Sequence, residues 1–190
     1  MKKEKRNTEE NFETNRFSSS VFRVSRILAI DPGFERVGIA VLEKEHRSKE
    51  KLLYSECFKT SAKLPYSERL FLIGQKIKDI VGEWRPGALV IEKLFFNTNQ
   101  KTALMVAEAR GVIIYEAGVA NLSIFEYTPL QIKIAVTGYG RSEKGQVARM
   151  IPRLITITKK ITSDDEFDAI AVGLTCFASE RLSTNKLQKK

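Results

Sequence analysis

Four carboxylates stand where a folded chain has little ordinary use for them. Asp31 ends an apolar run, Ile27-Leu28-Ala29-Ile30, and Glu92 ends another, Ala88-Leu89-Val90-Ile91. Asp165 and Asp168 lead into a third, Ala169 to Leu174. An unpaired charge inside a core is expensive, so an acid closing a buried strand is paired, part of a turn, or holding something. Two of these acids have a bland explanation. Asp31 opens an Asp-Pro-Gly turn, and acids such as Asp164 and Asp165 favour a helix N-terminus. Asp168 fits that explanation less well, because it leads straight into the buried segment. Residues 165 and 168 share a helix face, but so do 164 and 168, so periodicity alone does not choose the partner.

Clustered carboxylates with no cationic partner among them repel one another and stay ionised only around cations. Hard oxygen donors select Mg²⁺ or Mn²⁺ over zinc. Two such ions ~3.5–4 Å apart activate water and stabilise the leaving oxygen of a phosphodiester. The chemistry to expect is that of a metal-dependent nuclease.

The surrounding pattern says how the acids would meet. Ile27–Asp31, a Pro32-Gly33 turn and Val37–Leu42 read as a hairpin. Leu52–Thr60 reads as a third strand, completing an antiparallel meander. Ser67 is expected to cap a helix to about Trp84, its apolar residues Leu70, Ile73, Ile77, Ile80 and Val81 recurring at helical steps. Ala88–Ile91 is short and continuously apolar, as a strand buried on both faces would be. A helix over Lys101–Ala120 and a strand over Ser123–Tyr127 follow. Thr128 caps a short helix with Pro129 at its first position. The loop Thr137–Gly145 would either cradle phosphate ahead of a helix over Gln146–Ile155 or serve as a flexible connector. The last helix spans about Ser163–Leu182. This is a mixed α/β order. In open sheets, sites gather at the carboxyl ends of parallel strands. Asp31 and Glu92 would meet there if their strands are parallel neighbours and the last helix packs across that edge.

Composition narrows the partners. The 190-residue chain carries a formal charge of +9 and a pI near 9.6, which suits a polyanion. No apolar stretch approaches the ~20 residues of a membrane span, so no membrane partner is expected. Cys57 and Cys176 lie in apolar runs and read as reduced core residues. His46, in a charged turn-like segment, has no zinc-site spacing to either of them. Residues 1–25 are expected to form a disordered polar arm, 26–182 the globular domain, and 183–190 a basic tail that adds affinity for phosphate backbones.

The motifs AIDPGFERVGIAVLE, VIEKLFFNTN, ALMVAEARGVII, FEYTPLQIKIAVTGYGRSEKGQV and DEFDAIAVGLT resemble, in order and spacing, those of the RuvC family of bacterial Holliday-junction resolvases. The resemblance covers about Ile27 to Ala178. It implies an RNase H-like fold: a mixed five-stranded sheet, three antiparallel strands then parallel ones, flanked by helices. It further implies a homodimer that makes paired symmetric nicks in four-way junction DNA with two Mg²⁺ (or Mn²⁺) per subunit, leaving 5′-phosphates. A cytoplasmic, nucleoid-associated protein working with the RuvA–RuvB branch-migration complex is the corresponding expectation. Carried onto this sequence, the catalytic and metal-holding acids fall on Asp31, Glu92, Asp165 and Asp168. The family's D-x-x-D-A pattern selects Asp165 over Asp164. Phe95 matches the phenylalanine that works at unstacked bases, with Phe96 its neighbouring competitor. Lys133 and Lys144 match DNA-facing lysines, and Arg141 joins them as a phosphate contact. Glu108–Ile114 corresponds to part of the family's dimer region.

Two other readings compete. An Asp-x-Gly after a strand also opens the phosphate loop of actin- and hexokinase-like ATPases, but those chains carry a second such lobe, for which 190 residues leave no room. A non-catalytic DNA-binding dimer of the same fold would have no reason to keep all four acids.

Overall fold

The computed structural model describes residues 25–45, 48–94 and 100–187. Phe95, Phe96 and His46 lie outside them. Among the described residues six strands form one sheet in the order β5-β4-β1-β2-β3-β6. β1 (Arg26–Asp31), β2 (Arg36–Glu43) and β3 (Glu50–Lys59) are the expected antiparallel meander. β4 (Ala88–Glu92) lies parallel to β1, and β5 (Ser123–Tyr127) parallel to β4.

The sixth strand corrects the expected five. It is β6, only Ile155–Thr156, pairing parallel to the start of β3. The segment Ile155-Thr156-Ile157-Thr158 is rich in β-branched residues, which are stiff in a helix and comfortable in a strand. The preceding helix therefore ends at Leu154.

Helices cover both faces. α1 (Tyr66–Trp84) and α2 (Gln100–Val119) pair on one. α3 (Pro129–Thr137), α4 (Lys144–Leu154) and α5 (Asp164–Leu187) cover the other. Ser67 does not cap α1. Pro65 holds the N-cap position, without a side-chain bond, and Ser67 lies inside the helix. Thr128 caps α3 as expected, its hydroxyl accepting from the Gln131 N–H. α4 begins two residues before the expected Gln146, because the Gln146 side chain reaches back and accepts from the Glu143 N–H. That places Lys144 in the first helical turn. α5 runs to Leu187, into the stretch read as a tail.

Strand alternation divides the interior into two cores. Leu28, Ile30, Leu89 and Ile91 face α1 and α2, while Ile27, Ala29, Ala88 and Val90 face α5. All eight are fully buried. Successive side chains on a strand take opposite faces, so the residues following Ile30 and Ile91 take the α5 face. Those residues are Asp31 and Glu92.

Candidate active site

The β1–β4 register pairs Ile30 with Ile91, so one step further sets Asp31 beside Glu92 at the carboxyl ends of two parallel strands. α5 closes over them. Two glycines allow its close approach. A Cβ on Gly38, which pairs with Asp31, would lie 2.1 Å from the Asp165 carbonyl oxygen. A Cβ on Gly173 would lie 2.9 Å from Leu42 Cδ1 and 3.0 Å from the Ala29 Cβ. With neither side chain present, the first turn of α5 is pressed against the strand ends, and Asp168 faces Asp31 and Glu92.

The electrostatics follow from that crowding. Burial raises the Asp31 carboxyl from 3.8 to about 8, and repulsion from Asp168, Glu92 and Asp165 adds to it. Burial, then Asp168, raises Glu92 to about 7. Lys144 opposes both shifts. Its ammonium lies 2.7 Å from Asp168 Oδ2, although the side chain is 78% exposed. Burial and like charge raise a carboxyl's pKa because both penalise the ionised form. This site is a held concentration of negative charge.

Asp165 is at the site but turned aside. Its Oδ2 accepts from Arg36 Nε at 2.9 Å, from Arg36 Nη2, from Ser163 Oγ at 2.7 Å and from the Cys57 thiol at 3.2 Å. Hydrogen bonds from Ser163, Cys57 and Arg36 outweigh its burial and hold its pKa below the ordinary carboxylate range. Asp164 is exposed. The expectation that no cationic side chain stands among the acids is thus corrected: Lys144 and Arg36 each reach one of them.

Several residues at the site escaped the sequence reading. Arg36 opens β2 and looks like one more surface base. Cys57, expected in the core, is only half-buried, at the edge of the site; Cys176 is buried as expected. Glu166 is buried, accepting from Ser55 Oγ at 2.6 Å and Lys159 Nζ at 2.8 Å, which docks the head of α5 on β3. Arg110 of α2 donates to the Glu92 carbonyl at 3.2 Å and pairs with Glu126, fixing the end of β4 from the opposite face. A period-two signal was available for part of this. Ser55, Cys57 and Lys59 alternate along β3, with Cys57 opposite Gly38.

Of the DNA-facing residues expected from the sequence, Phe95 lies outside the described residues and the three basic ones lie on the α5 side of the sheet. Lys133 is half-buried on α3, Arg141 is exposed between α3 and α4, and Lys144 is over the acids.

The donor set suits a hard divalent ion. Every acid offers oxygen, and the raised pKa values of Asp31 and Glu92 show an environment that favours added positive charge. Among the described residues no three such side chains are already gathered at one ion position. Asp168 and Asp165 point instead to Lys144 and Arg36, whose charges an ion would replace.

A mixed sheet with an antiparallel meander, a parallel extension and carboxylates converging from β1, β4 and a C-terminal helix defines an RNase H-like protein of the resolvase type. The family model for crossover junction endodeoxyribonuclease RuvC matches residues 27–176. The chain belongs to that family. It is 41% identical over 157 residues to the crossover junction endodeoxyribonuclease RuvC of Halothermothrix orenii, covering 83% of this chain and 94% of that one. It is 43% identical over 148 residues to the protein of the same name from Alkaliphilus metalliredigens, covering 78% and 90%. Among solved structures it is similar to Thermus thermophilus RuvC in complex with Holliday junction substrate, with TM-score 0.78 and 29% identity, covering 84% of this chain and 97% of that one. The yeast mitochondrial Holliday junction resolvase Ydc2 shares the fold, with TM-score 0.66 and 14% identity.

Proposed function

We propose that this chain is a metal-dependent endonuclease that resolves four-way DNA junctions by paired symmetric nicks, in recombination and repair. The convergence of Asp31, Glu92 and Asp168 at the ends of β1, β4 and α5, in a member of this family, carries the reading. Asp31, Glu92, Asp165 and Asp168 are the residues that would hold two divalent ions, Mg²⁺ or Mn²⁺, which would supply activation of water and neutralisation of charge on the phosphodiester.

The chain's own groups do the rest. Asp31 and Glu92, half-buried and both facing Asp168, concentrate negative potential at one point of the sheet edge. Asp168 is carried by a helix that Glu166 anchors, so its position is set by packing rather than by a loop. Lys144, whose ammonium lies at the edge of the acids on Asp168, would neutralise a non-bridging phosphate oxygen. Water adds to phosphorus, the P–O3′ bond breaks, and the departing 3′ oxygen takes up a proton. The products are a 5′-phosphate and a 3′-hydroxyl. Lys133 and Arg141 engage backbone phosphates, and Phe95 works at the unstacked bases of the crossover.

Paired nicks require two sites, and the reading includes a homodimer. Leu104, Tyr115 and Val119 on α2 are large apolar residues more than 60% exposed, which supports a second copy on that face. RuvA–RuvB is the corresponding partner for branch migration. The test is cleavage of a synthetic four-way junction with a mobile core, in Mg²⁺, beside a linear duplex of the same sequence. Paired symmetric nicks in the junction alone are expected. Binding without nicks in both Mg²⁺ and Mn²⁺ would leave a DNA-binding module.

A further inference from the structure

A polar cleft of about 520 Å³ opens on the β3 side of Asp165, away from Asp31 and Glu92. Arg36, Ser55, Cys57, Lys59, Thr162 and Ser163 line it, and none of its lining residues is aromatic. Two of its acids are already paired. Glu56 lies 2.5 Å from Lys76 Nζ, and Glu166 is held by Lys159 and Ser55. The third, Asp164, faces solvent at the rim. Lys59 is exposed on β3. A wall of hydroxyls and basic groups without a stacking surface suits a phosphate rather than a base.

Arg36 stands between this cleft and the carboxylates. Its guanidinium pairs with Asp165 and donates to Ser163 Oγ at 3.2 Å, yet half of the side chain is exposed. A guanidinium and a divalent ion compete for one carboxylate oxygen and repel each other. An arginine displaced from Asp165 has the cleft beside it, and its planar fork matches phosphate oxygens.

We propose that the cleft binds a backbone phosphate of the DNA strand, adjacent to the one cut, with Arg36 and Lys59 as its cationic ligands. Arg36 reaches that phosphate by leaving Asp165 when a divalent ion takes the carboxylate. Arg36 is thus a positioning residue with two stations, coupling ion binding to strand binding. This rests on the nuclease reading above.

The test compares the full chain with R36Q, R36K and K59Q. Binding of a labelled four-way junction and of a matched duplex is followed by fluorescence anisotropy, in Ca²⁺ and in EDTA. In Ca²⁺, R36Q and K59Q each weaken binding ~3–10-fold and lower the slope of log affinity against log salt by about one. In EDTA, K59Q weakens binding to the same extent and R36Q leaves it unchanged. R36K keeps most of the wild-type affinity in Ca²⁺. Calorimetric titration of Ca²⁺ without DNA shows ~2–5-fold tighter binding to R36Q, the competing ion pair having been removed. Equal loss for R36Q in EDTA and Ca²⁺, no loss in either, or unchanged Ca²⁺ affinity in R36Q overturns the proposal. If the wild type prefers the junction no more than the duplex, the junction reading fails. The R36Q comparison on duplex and the DNA-free titration still decide the cleft.

Discussion

Replacing Asp31 by Asn should stabilise the metal-free protein while abolishing its cleavage. The Asp31 carboxyl stands at 3.8 when unperturbed and at about 8 in the fold, through burial and then the charges of Asp168 and Glu92. A carboxyl whose folded pKa lies above its unfolded value opposes folding. That opposition is absent well below pH 3.8, grows as pH rises, and is complete above pH 8. At pH 7.5 the full linkage is ~5 kcal/mol, at ~1.36 kcal/mol per pH unit. Water entry at a half-buried group and rotation of its neighbours reduce the realised cost to ~2 kcal/mol. For a chain of this length that corresponds to a rise in Tm of ~4–8 °C for D31N. The assay is thermal unfolding followed by circular dichroism, in EDTA, at pH 7.5 and pH 4.5. The D31N advantage should shrink to under ~1 kcal/mol at pH 4.5, where the folded wild-type carboxyl carries a proton. Saturating Mg²⁺ or Mn²⁺ should then reverse the order at pH 7.5, because the ion stabilises only the chain that binds it well. A D31N protein less stable than wild type in EDTA at pH 7.5, or equally favoured at both pH values, would refute the picture of a strained, cation-seeking cluster.

Four more outcomes follow from the same geometry. Gly38→Ala places a Cβ 2.1 Å from the Asp165 carbonyl, so it should destabilise by ~3 kcal/mol and suppress cleavage, read by urea unfolding and a junction assay. Gly173→Ala meets only side-chain atoms, at 2.9–3.0 Å, and should cost ~1–2 kcal/mol with cleavage largely kept. Glu166→Gln breaks the buried contact with Lys159 and Ser55 and should cost ~1–3 kcal/mol at pH 7. Lys159 and Ser55 hold the Glu166 pKa below its usual value, so that stabilisation is present above the usual carboxylate range and lost as pH falls through the folded pKa; the Tm gap to E166Q should narrow toward pH 4. Lys144→Gln should lower the metal-free Tm at pH 7.5, since Lys144 relieves Asp31 and Glu92, and weaken junction binding ~3–10-fold by filter binding.

What was legible in the sequence was whatever hydrophobic patterning could express. Asp31 and Glu92 announced themselves because a run of fully apolar residues ended in a charge, and the period-two rule then put both on one face once β1 and β4 proved parallel. Asp168 was legible for a related reason, as the last acid before a buried helix. Asp164 and Asp165 were not separable by pattern, because both lie in the first turn of α5 and both complement its dipole. The fold separates them by the approach of Gly38, which brings Asp165 against β2 and leaves Asp164 in water. The two-residue strand β6 was invisible, since nothing so short has a period.

The basic residues show the limit most clearly. Arg36, Lys144 and Arg110 have no periodic signature; Arg36 and Arg110 look in sequence like ordinary solvated charge, and Lys144 stands out only through the family motif, which says nothing of the acid it pairs with. Their meaning comes from long-range contacts: Arg36 with Asp165, Lys144 with Asp168, Arg110 with the carbonyl of Glu92. Pattern therefore finds the acids that the core must tolerate, and only the assembled sheet edge shows which bases counterbalance them. An acid cluster of this kind cannot be left wholly unbalanced in the metal-free protein. Lys144 and Arg36 supply that balance from the surface, with side chains 78% and 51% exposed, each paired to one of the carboxylates.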